Sequence, residues 1–279
     1  MADLAASGLG AASRRDAQGG RPQAQARRRS RRFDQGRGSG VSFGSIVFAR
    51  FASTRLPGKA LVEIGGRPML GLVLDRARRV AGAPPLIVAT SDRAEDDVIA
   101  AFVEKEGAAC FRGDLDDVAG RALACADRYG LSRFARICGD RPFHDPGLID
   151  RLRAMAESAD ADLATNAQRK TYPPGATAEV IRTQALRAAL AQTQDAEDRE
   201  HVTRYFYDRP DRFRIVNHEA AAGIDPRLSL VVDTPADLDR ARFIAERLGD
   251  DVATATLERV LDLAAEWFAR NASKLGTAA

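Results

Sequence analysis

The sequence has little cysteine and no long apolar stretch. Its three cysteines, Cys110, Cys125 and Cys138, are odd in number and form no Cys-x-x-Cys pair. This spacing excludes a disulfide framework and the common zinc-binding patterns, and it is typical of a protein in a reducing cytoplasm. No apolar run approaches the ~20 residues that a membrane helix needs. We therefore expect a cytoplasmic protein without a membrane partner.

Large apolar residues are also almost absent from residues 1–44, which contain nine Arg and three Asp. Such a segment buries too little apolar surface to offset the entropy lost on ordering. We predict a disordered basic tail over residues 1–44 and a single folded domain over residues 45–279. The tail is net +6 and the whole chain net +3, so the domain is net −3. Nucleic acid is not an expected partner, because the domain lacks a basic footprint.

Four apolar runs after residue 44 are typical of buried parallel strands. These runs are Ser45–Ala49, Leu86–Thr90, Phe134–Cys138 and Leu228–Val232. Helical patterns separate them, at Pro68–Val80, from Asp92 onward, and at Asp116–Tyr129, Pro146–Glu157 and Pro235–Leu248. The alternation predicts an α/β fold with a Rossmann-like, doubly wound, mostly parallel sheet. Residues 161–217 are less regular, and we expect them to form a smaller insertion that covers the substrate.

The segment that follows the first predicted strand, residues 50–59, concentrates phosphate-binding chemistry and is called the phosphate loop. It contains three cations, two hydroxyls and a turn-forming pair: Arg50, Arg55, Lys59, Ser53, Thr54 and Pro57-Gly58. Ligands of such sheets bind beyond the carboxyl ends of the strands. A triphosphate needs several positive donors together with N–H groups that a turn leaves unpaired. The phosphate loop supplies both.

Two aspartates follow other predicted strands at the same edge of the sheet. Asp140 comes after the third apolar run and one glycine, and Asp233 directly follows the fourth run. Carboxylate pairs near a triphosphate are suitable ligands for Mg²⁺, so we predict a metal site at Asp140 and Asp233. Because Asp233 precedes Thr234-Pro235, an N-cap of the next helix is an alternative role for it.

The pattern Arg-x-x-Ser-Thr-Arg-Leu-Pro-Gly-Lys over residues 50–59 resembles the cytidylyltransferase family, as do Gly139-Asp140-x-Pro142 and Asp233-Thr234-Pro235. That family includes the CMP-KDO and CMP-sialic acid synthetases and the spore coat polysaccharide protein F group. The resemblance implies a nucleotidyltransferase that moves CMP from CTP to an acidic sugar, a 2-keto-3-deoxy sugar acid, and releases pyrophosphate. It also implies Mg²⁺ as the cofactor and a homodimer formed through residues 161–217.

The resemblance further implies roles for individual residues. Catalysis is expected from Arg50, Lys59, Asp140 and Asp233. Nucleotide binding is expected from Arg50, Ser53, Thr54, Arg55, Lys59, Ser91, Arg136 and Cys138. Substrate binding is expected from Asn166, Glu179, Glu200 and His201. Three positions depart from the family pattern: Phe48, Cys138 and Thr177 stand where Gln, Thr or Gln, and Asp are usual.

Other functions remain open from the sequence. A GT-A glycosyltransferase binds the metal of its nucleotide sugar with an Asp-x-Asp triplet such as Asp114-Leu115-Asp116. The same triplet suits the start of a helix. A different sugar nucleotidylyltransferase and a nucleic-acid-associated protein led by the basic tail are further alternatives. CTP-dependent release of pyrophosphate separates the predicted enzyme from the glycosyltransferase and from the nucleic-acid-associated protein.

Overall fold

The computed structural model describes residues 42–221 and 224–275. The predicted tail lies outside the described residues except for its last three positions. The first strand begins at Phe43, two residues before the predicted domain boundary. Phe43 is buried, and the carbonyl oxygen of Ser42 accepts a 2.9 Å hydrogen bond from the N–H of Ser132. The backbone is already hydrogen-bonded to the neighbouring segment at Ser42, so the folded domain begins before the predicted residue 45.

Nine strands, nine α-helices and four 3₁₀ helices form within the described residues. The strands are β1 (Phe43–Phe48), β2 (Glu63–Ile64), β3 (Arg67–Pro68), β4 (Leu86–Ser91), β5 (Ala109–Gly113), β6 (Arg133–Cys138), β7 (Leu163–Thr165), β8 (Glu179–Arg182) and β9 (Ile215–Asn217). The α-helices are α1 (Met69–Ala77), α2 (Asp97–Lys105), α3 (Val118–Arg128), α4 (Pro146–Ser158), α5 (Thr183–Leu190), α6 (Ala196–Glu200), α7 (Arg204–Tyr207), α8 (Pro235–Leu248) and α9 (Leu257–Leu275). The 3₁₀ helices are Lys59–Leu61, Ala94–Asp96, Pro210–Arg212 and Gly249–Ala253.

Seven of the described strands form one sheet in the order β5-β4-β1-β6-β8-β7-β9, and β2 and β3 form a separate hairpin. In that sheet β8 runs antiparallel to β6 and β7, and the other pairings are parallel. The predicted mostly parallel α/β fold is confirmed. Residues 161–217 contribute β7, β8 and β9, so the segment predicted as an insertion extends the sheet itself.

Apolar side chains cover both faces of the sheet. On one face α1, α2 and α4 contribute residues such as Val73, Ile99 and Leu152. On the other face α3 and α5 contribute residues such as Ala122 and Leu186. This double coverage explains why β1 and β4 are nearly continuous apolar runs. A third apolar cluster joins α8, α9 and β2 to α1. Among the described helices, none has the length and apolar character needed to cross a membrane.

The segment Leu228–Val232, predicted as a strand, lies outside the sheet, which corrects that prediction. Its backbone is attached to two loops instead, because the N–H of Leu230 donates to the carbonyl oxygen of Pro174 at 2.8 Å and the N–H of Val232 donates to that of Asp140 at 3.0 Å. Leu230 and Val232 are buried in the cluster formed with α8 and α9. A buried extended segment has the same apolar pattern as a strand.

Candidate active site

Asp140 lies where β6 ends beside the end of β1. The N–H of Gly139 donates a 2.8 Å hydrogen bond to the carbonyl oxygen of Phe48. A Cβ atom at position 139 would lie 2.9 Å from that oxygen, so only glycine allows this close approach. The turn after Gly139 leaves the Asp140 side chain 26% exposed at the carboxyl edge of the sheet.

The backbone hydrogen bond between Val232 and Asp140 places Asp233 beside Asp140, and Lys59 bridges the two carboxylates. The Nζ atom of Lys59 donates to Oδ2 of Asp140 at 3.0 Å and to Oδ1 of Asp233 at 2.5 Å. The other carboxylate oxygen of Asp233 accepts a 2.9 Å hydrogen bond from Nη2 of Arg55. Residues predicted from separate motifs thus form one site, called the Lys59 centre (Arg55, Lys59, Asp140 and Asp233).

The charge of Lys59 is stabilised within this centre. Its side chain is 15% exposed. Burial alone lowers the pKa of an ammonium, but the charges and hydrogen bonds of Asp140 and Asp233 outweigh burial and raise the pKa of Lys59. The ammonium stays protonated at neutral pH and balances the two carboxylates.

Asp140 and Asp233 fit a metal ion in this arrangement. A single ammonium contacts both of them, so one divalent cation can also contact both. Their side chains are 26% and 28% exposed, which leaves the carboxylates open to a ligand. Within residues 42–221 and 224–275, no group of three or more His, Cys, Asp or Glu side chains is placed to hold a metal. Further ligands would be phosphate oxygens and water, as is usual for Mg²⁺.

The alternative role of Asp233 as a helix cap is wrong. The N-cap of α8 is Thr234, whose Oγ1 accepts a 3.2 Å hydrogen bond from the N–H of Asp237. Asp237 completes a capping box, because its Oδ2 accepts from the N–H of Thr234 at 2.9 Å. The carboxylate of Asp233 therefore serves the Lys59 centre.

The phosphate loop is folded around its turn-forming pair. Gly58 adopts a φ of +67°, and its N–H donates to the carbonyl oxygen of Phe51 at 3.3 Å. Ser53 accepts a 3.3 Å hydrogen bond from the N–H of Leu56 through Oγ. The remaining polar side chains of the loop lie at the surface, where a ligand can reach them: Arg50, Thr54 and Arg55.

Asp96 holds the phosphate loop against the end of β4, a role that sequence analysis missed. One carboxylate oxygen accepts a 2.6 Å hydrogen bond from the N–H of Phe51, and the other accepts from the N–H and Oγ of Ser91. Asp96 is 1% exposed. Burial raises the pKa of a carboxyl, but the hydrogen bonds from Ser91 and Phe51 outweigh it and lower the pKa of Asp96. Ser91, predicted to bind nucleotide, acts on the loop through Asp96.

Arg136, predicted to bind nucleotide, lies with residues that were predicted to bind the substrate. Its Nη1 donates to Glu179 at 2.7 Å, and Glu179 also accepts from Oγ1 of Thr203 at 2.8 Å and from the hydroxyl of Tyr207 at 2.7 Å. A cavity of about 400 Å³ opens beside this group, lined by Arg136, His201, Thr203, Arg204, Tyr207 and Asp208. The structure therefore places Arg136 with Glu179 and His201.

The other predicted residues are placed as follows. Asn166 is buried, with Nδ2 donating to the carbonyl oxygen of Ala176 at 3.0 Å and Oδ1 accepting from the N–H of Ala178 at 2.7 Å. Both ends of its amide thus bind the backbone of a turn, and its predicted contact with substrate stays a prediction. Glu200 ends α6 at the surface. Cys138 is a half-buried free thiol at the end of β6.

The Asp114-Leu115-Asp116 triplet forms a turn. Oδ1 of Asp114 accepts hydrogen bonds from the N–H groups of Asp116 and Asp117 at 2.8 and 2.7 Å. Asp117 then caps α3 by accepting from the N–H of Gly120 at 2.7 Å. These contacts show that the triplet forms the turn before α3, as two aspartates ahead of a helix indicate.

A family model described as Cytidylyltransferase matches residues 45–272. The chain belongs to the cytidylyltransferase family. The spore coat polysaccharide biosynthesis protein SpsF of Bacillus subtilis is 31% identical over 228 residues, covering 78% of this chain and 92% of the relative. A 3-deoxy-manno-octulosonate cytidylyltransferase of Agrobacterium fabrum is 32% identical over 241 residues, covering 71% and 93%. A cytidylyltransferase structure from Leptospira borgpetersenii has a TM-score of 0.72 at 24% identity, covers 84% of this chain and 96% of that one, and shares the fold.

In this cytidylyltransferase, replacing Asp96 by Asn tests the contact with the phosphate loop. The amide would direct an N–H₂ group at the N–H of Phe51 or of Ser91, because both partners are donors. We expect the KM for CTP to rise about 10-fold and stability to fall by about 1–3 kcal/mol. Pyrophosphate release at varied CTP and thermal unfolding measure the two effects.

Asp97→Asn is the matched control for this change. Asp97 begins α2 next to Asp96, but its side chain is 64% exposed and pairs with Arg112. We expect its KM for CTP to stay within about twofold of wild type. An unchanged KM in Asp96→Asn would show that the Phe51 contact does not position the loop.

Proposed function

We propose that this enzyme transfers CMP from CTP to an acidic sugar and releases pyrophosphate. The observation that carries the proposal is Lys59 bridging Asp140 and Asp233 at the carboxyl edge of the sheet, beside the exposed Arg50 and Arg55. This arrangement combines phosphate-binding cations with a carboxylate pair. The likeness to 3-deoxy-manno-octulosonate cytidylyltransferases supports a 2-keto-3-deoxy sugar acid as the acceptor.

In the proposed reaction, Arg50, Arg55 and Lys59 hold the triphosphate through charge-assisted hydrogen bonds. Asp140 and Asp233 would hold Mg²⁺. The bound ion would neutralise phosphate charge and polarise the α-phosphoryl group. The protein thereby fixes the orientation of the triphosphate relative to the acceptor.

The chemical step joins the anomeric hydroxyl oxygen of the sugar acid to the α-phosphorus of CTP. The bond between that phosphorus and the bridging oxygen breaks, pyrophosphate leaves, and the hydroxyl proton is released. Such transfers depend on positioning and charge stabilisation more than on a protein nucleophile.

We further propose that the enzyme works as a homodimer in the cytoplasm, with residues 161–217 at the dimer contact. Sedimentation equilibrium measures the oligomeric state.

A panel of sugar acids tests the proposed function. CTP is incubated with Mg²⁺ and KDO, N-acetylneuraminic, legionaminic or pseudaminic acid, and pyrophosphate release is followed. We expect one acid to give one pyrophosphate per phosphodiester product, identified by ³¹P NMR, and UTP to be a poor substitute. If the enzyme released no pyrophosphate from CTP but released a nucleoside diphosphate from a nucleotide sugar, it would be a glycosyltransferase instead.

A further inference from the structure

A row of polar residues crosses four strands of the sheet on the face covered by α7. Arg136 on β6 pairs with Glu179 on β8, Glu179 pairs with Thr165 on β7, and Thr165 pairs with Asn217 on β9. Side chains of directly paired residues lie on the same face. Two residues deeper, the equivalent row is apolar: Phe134, Ile181, Leu163 and Ile215. The polar row thus marks where the apolar core ends.

Glu179 is the centre of this row, and three side chains of the described residues donate hydrogen bonds to it. Its side chain is 7% exposed, and its two oxygens accept from Arg136, Thr203 and Tyr207. Burial disfavours the carboxylate, but Arg136 and the two hydroxyls outweigh it and lower the pKa of Glu179. The carboxylate stays ionised and fixes the guanidinium of Arg136 in one orientation.

Donors exceed acceptors in the same region. Nε of Arg136 and Nδ2 of Asn217 are buried without a hydrogen-bond partner among the described residues. The guanidinium of Arg136 has five N–H donors, and one hydrogen bond within the described structure uses them. Its side chain is 19% exposed and lines the 400 Å³ cavity. An acceptor-rich ligand in the cavity would therefore be stabilised by the exposed guanidinium donors that Glu179 leaves unused.

Arg204 and His201 also line the cavity, and each lies near carboxylates of its own segment. Arg204 contacts Asp198 at 3.2 Å, Asp195 at 3.4 Å and Asp208 at 3.5 Å. His201 lies 3.7 Å from Glu197. Of the two arginines that line the cavity, Arg136 contacts one carboxylate and Arg204 contacts three, so Arg136 keeps more donors for an anion.

We propose that Arg136 binds the carboxylate of the acceptor sugar acid and that Glu179 is its positioning residue. The proposal rests on the proposed function in that the acceptor is taken to be a sugar acid. It moves Arg136 from the nucleotide, where sequence analysis put it, to the acceptor. A planar guanidinium held by one carboxylate can present its free edge to a second carboxylate.

Arg136→Lys tests the proposal, because it keeps the charge and removes the forked donor geometry. We expect the KM for the accepted sugar acid to rise about 10- to 100-fold, while the KM for CTP stays within about twofold. Glu179→Gln should raise the same KM through the loss of orientation. Arg212→Lys, an exposed arginine that follows α7, is the matched control and should change neither constant. If Arg136 acted through its charge alone, the KM for the sugar acid would change little in Arg136→Lys.

Equilibrium binding keeps this test separate from turnover. Calorimetry with KDO and N-acetylneuraminic acid, and with their carboxamides, is run on wild type and on Arg136→Lys. We expect wild type to bind one acid at least about 10-fold more tightly than its carboxamide, and Arg136→Lys to lose that preference. Arg136-dependent binding without CTP turnover would sustain this proposal and refute the proposed function. Two results would overturn the role of Arg136. One is an Arg136→Lys enzyme that turns over CTP with an unchanged KM for the acceptor. The other is a wild-type enzyme that binds the acid and its carboxamide equally well.

Discussion

The Asp140→Asn enzyme is expected to release pyrophosphate about 10²–10³-fold more slowly than wild type. Asn keeps the size of the side chain and removes the negative charge that faces Lys59 at 3.0 Å and would hold Mg²⁺. Binding of CTP in the absence of metal should be affected much less, since the cations of the phosphate loop remain. Turnover measured against Mg²⁺ concentration, together with CTP binding in EDTA, checks both statements.

Asp233→Asn should behave similarly and without loss of stability. Thr234 and Asp237 form the capping box of α8, so the helix keeps its cap when Asp233 changes. Asp239→Asn, an exposed carboxylate within α8, is the matched control and should retain wild-type turnover. Wild-type Mg²⁺ dependence in Asp140→Asn would remove Asp140 from the metal site.

The Lys59→Met enzyme should show the second large effect. Loss of the ammonium removes a charge-assisted contact with phosphate and the cation that bridges Asp140 and Asp233, and it leaves Arg55 paired with Asp233 alone. We expect kcat/KM for CTP to fall about 100-fold or more. We also expect Mg²⁺ to raise the thermal midpoint of Lys59→Met more than that of wild type, because the ammonium no longer competes with the ion. Steady-state kinetics and thermal unfolding across a Mg²⁺ series measure these effects.

Lys105→Met is the control for that experiment, because Lys105 is an exposed lysine at the end of α2. It should match wild type in kcat/KM and in the response to Mg²⁺. If Lys59→Met gained no extra stabilisation from Mg²⁺, the carboxylate pair that Lys59 bridges would not be the metal site.

The Lys59 centre was predictable because its parts follow strand ends. Parallel strands bring their carboxyl ends to one edge, so the phosphate loop after β1 and Asp140 after β6 had to lie near each other. Asp233 reached the same place for a different reason. The segment before it is an extended strap bonded to Asp140 and Pro174, and an apolar run cannot distinguish such a strap from a strand.

The contacts of Asp96 and Arg136 were beyond sequence reasoning for a physical reason. Asp96 reaches Phe51 only because β1 and β4 are neighbours in a fixed register, with Phe48 opposite Ala89. Arg136 and Cys138 share one face of β6 by the two-residue period of a strand. Arg136 lies two residues before Cys138 on that face, and the register between β6 and β8 pairs it with Glu179. Pairing partners of this kind are tertiary information.

A double-mutant cycle across Asp140 and Asp233 tests most directly whether the two carboxylates serve one centre. Pyrophosphate release is measured for wild type, for each Asn variant and for the double variant at saturating CTP and Mg²⁺. Residues that act as a unit are strongly non-additive, so the double variant should be little slower than the slower single variant. A double variant slowed by the full product of the two single losses would show independent roles and contradict a shared metal site bridged by Lys59.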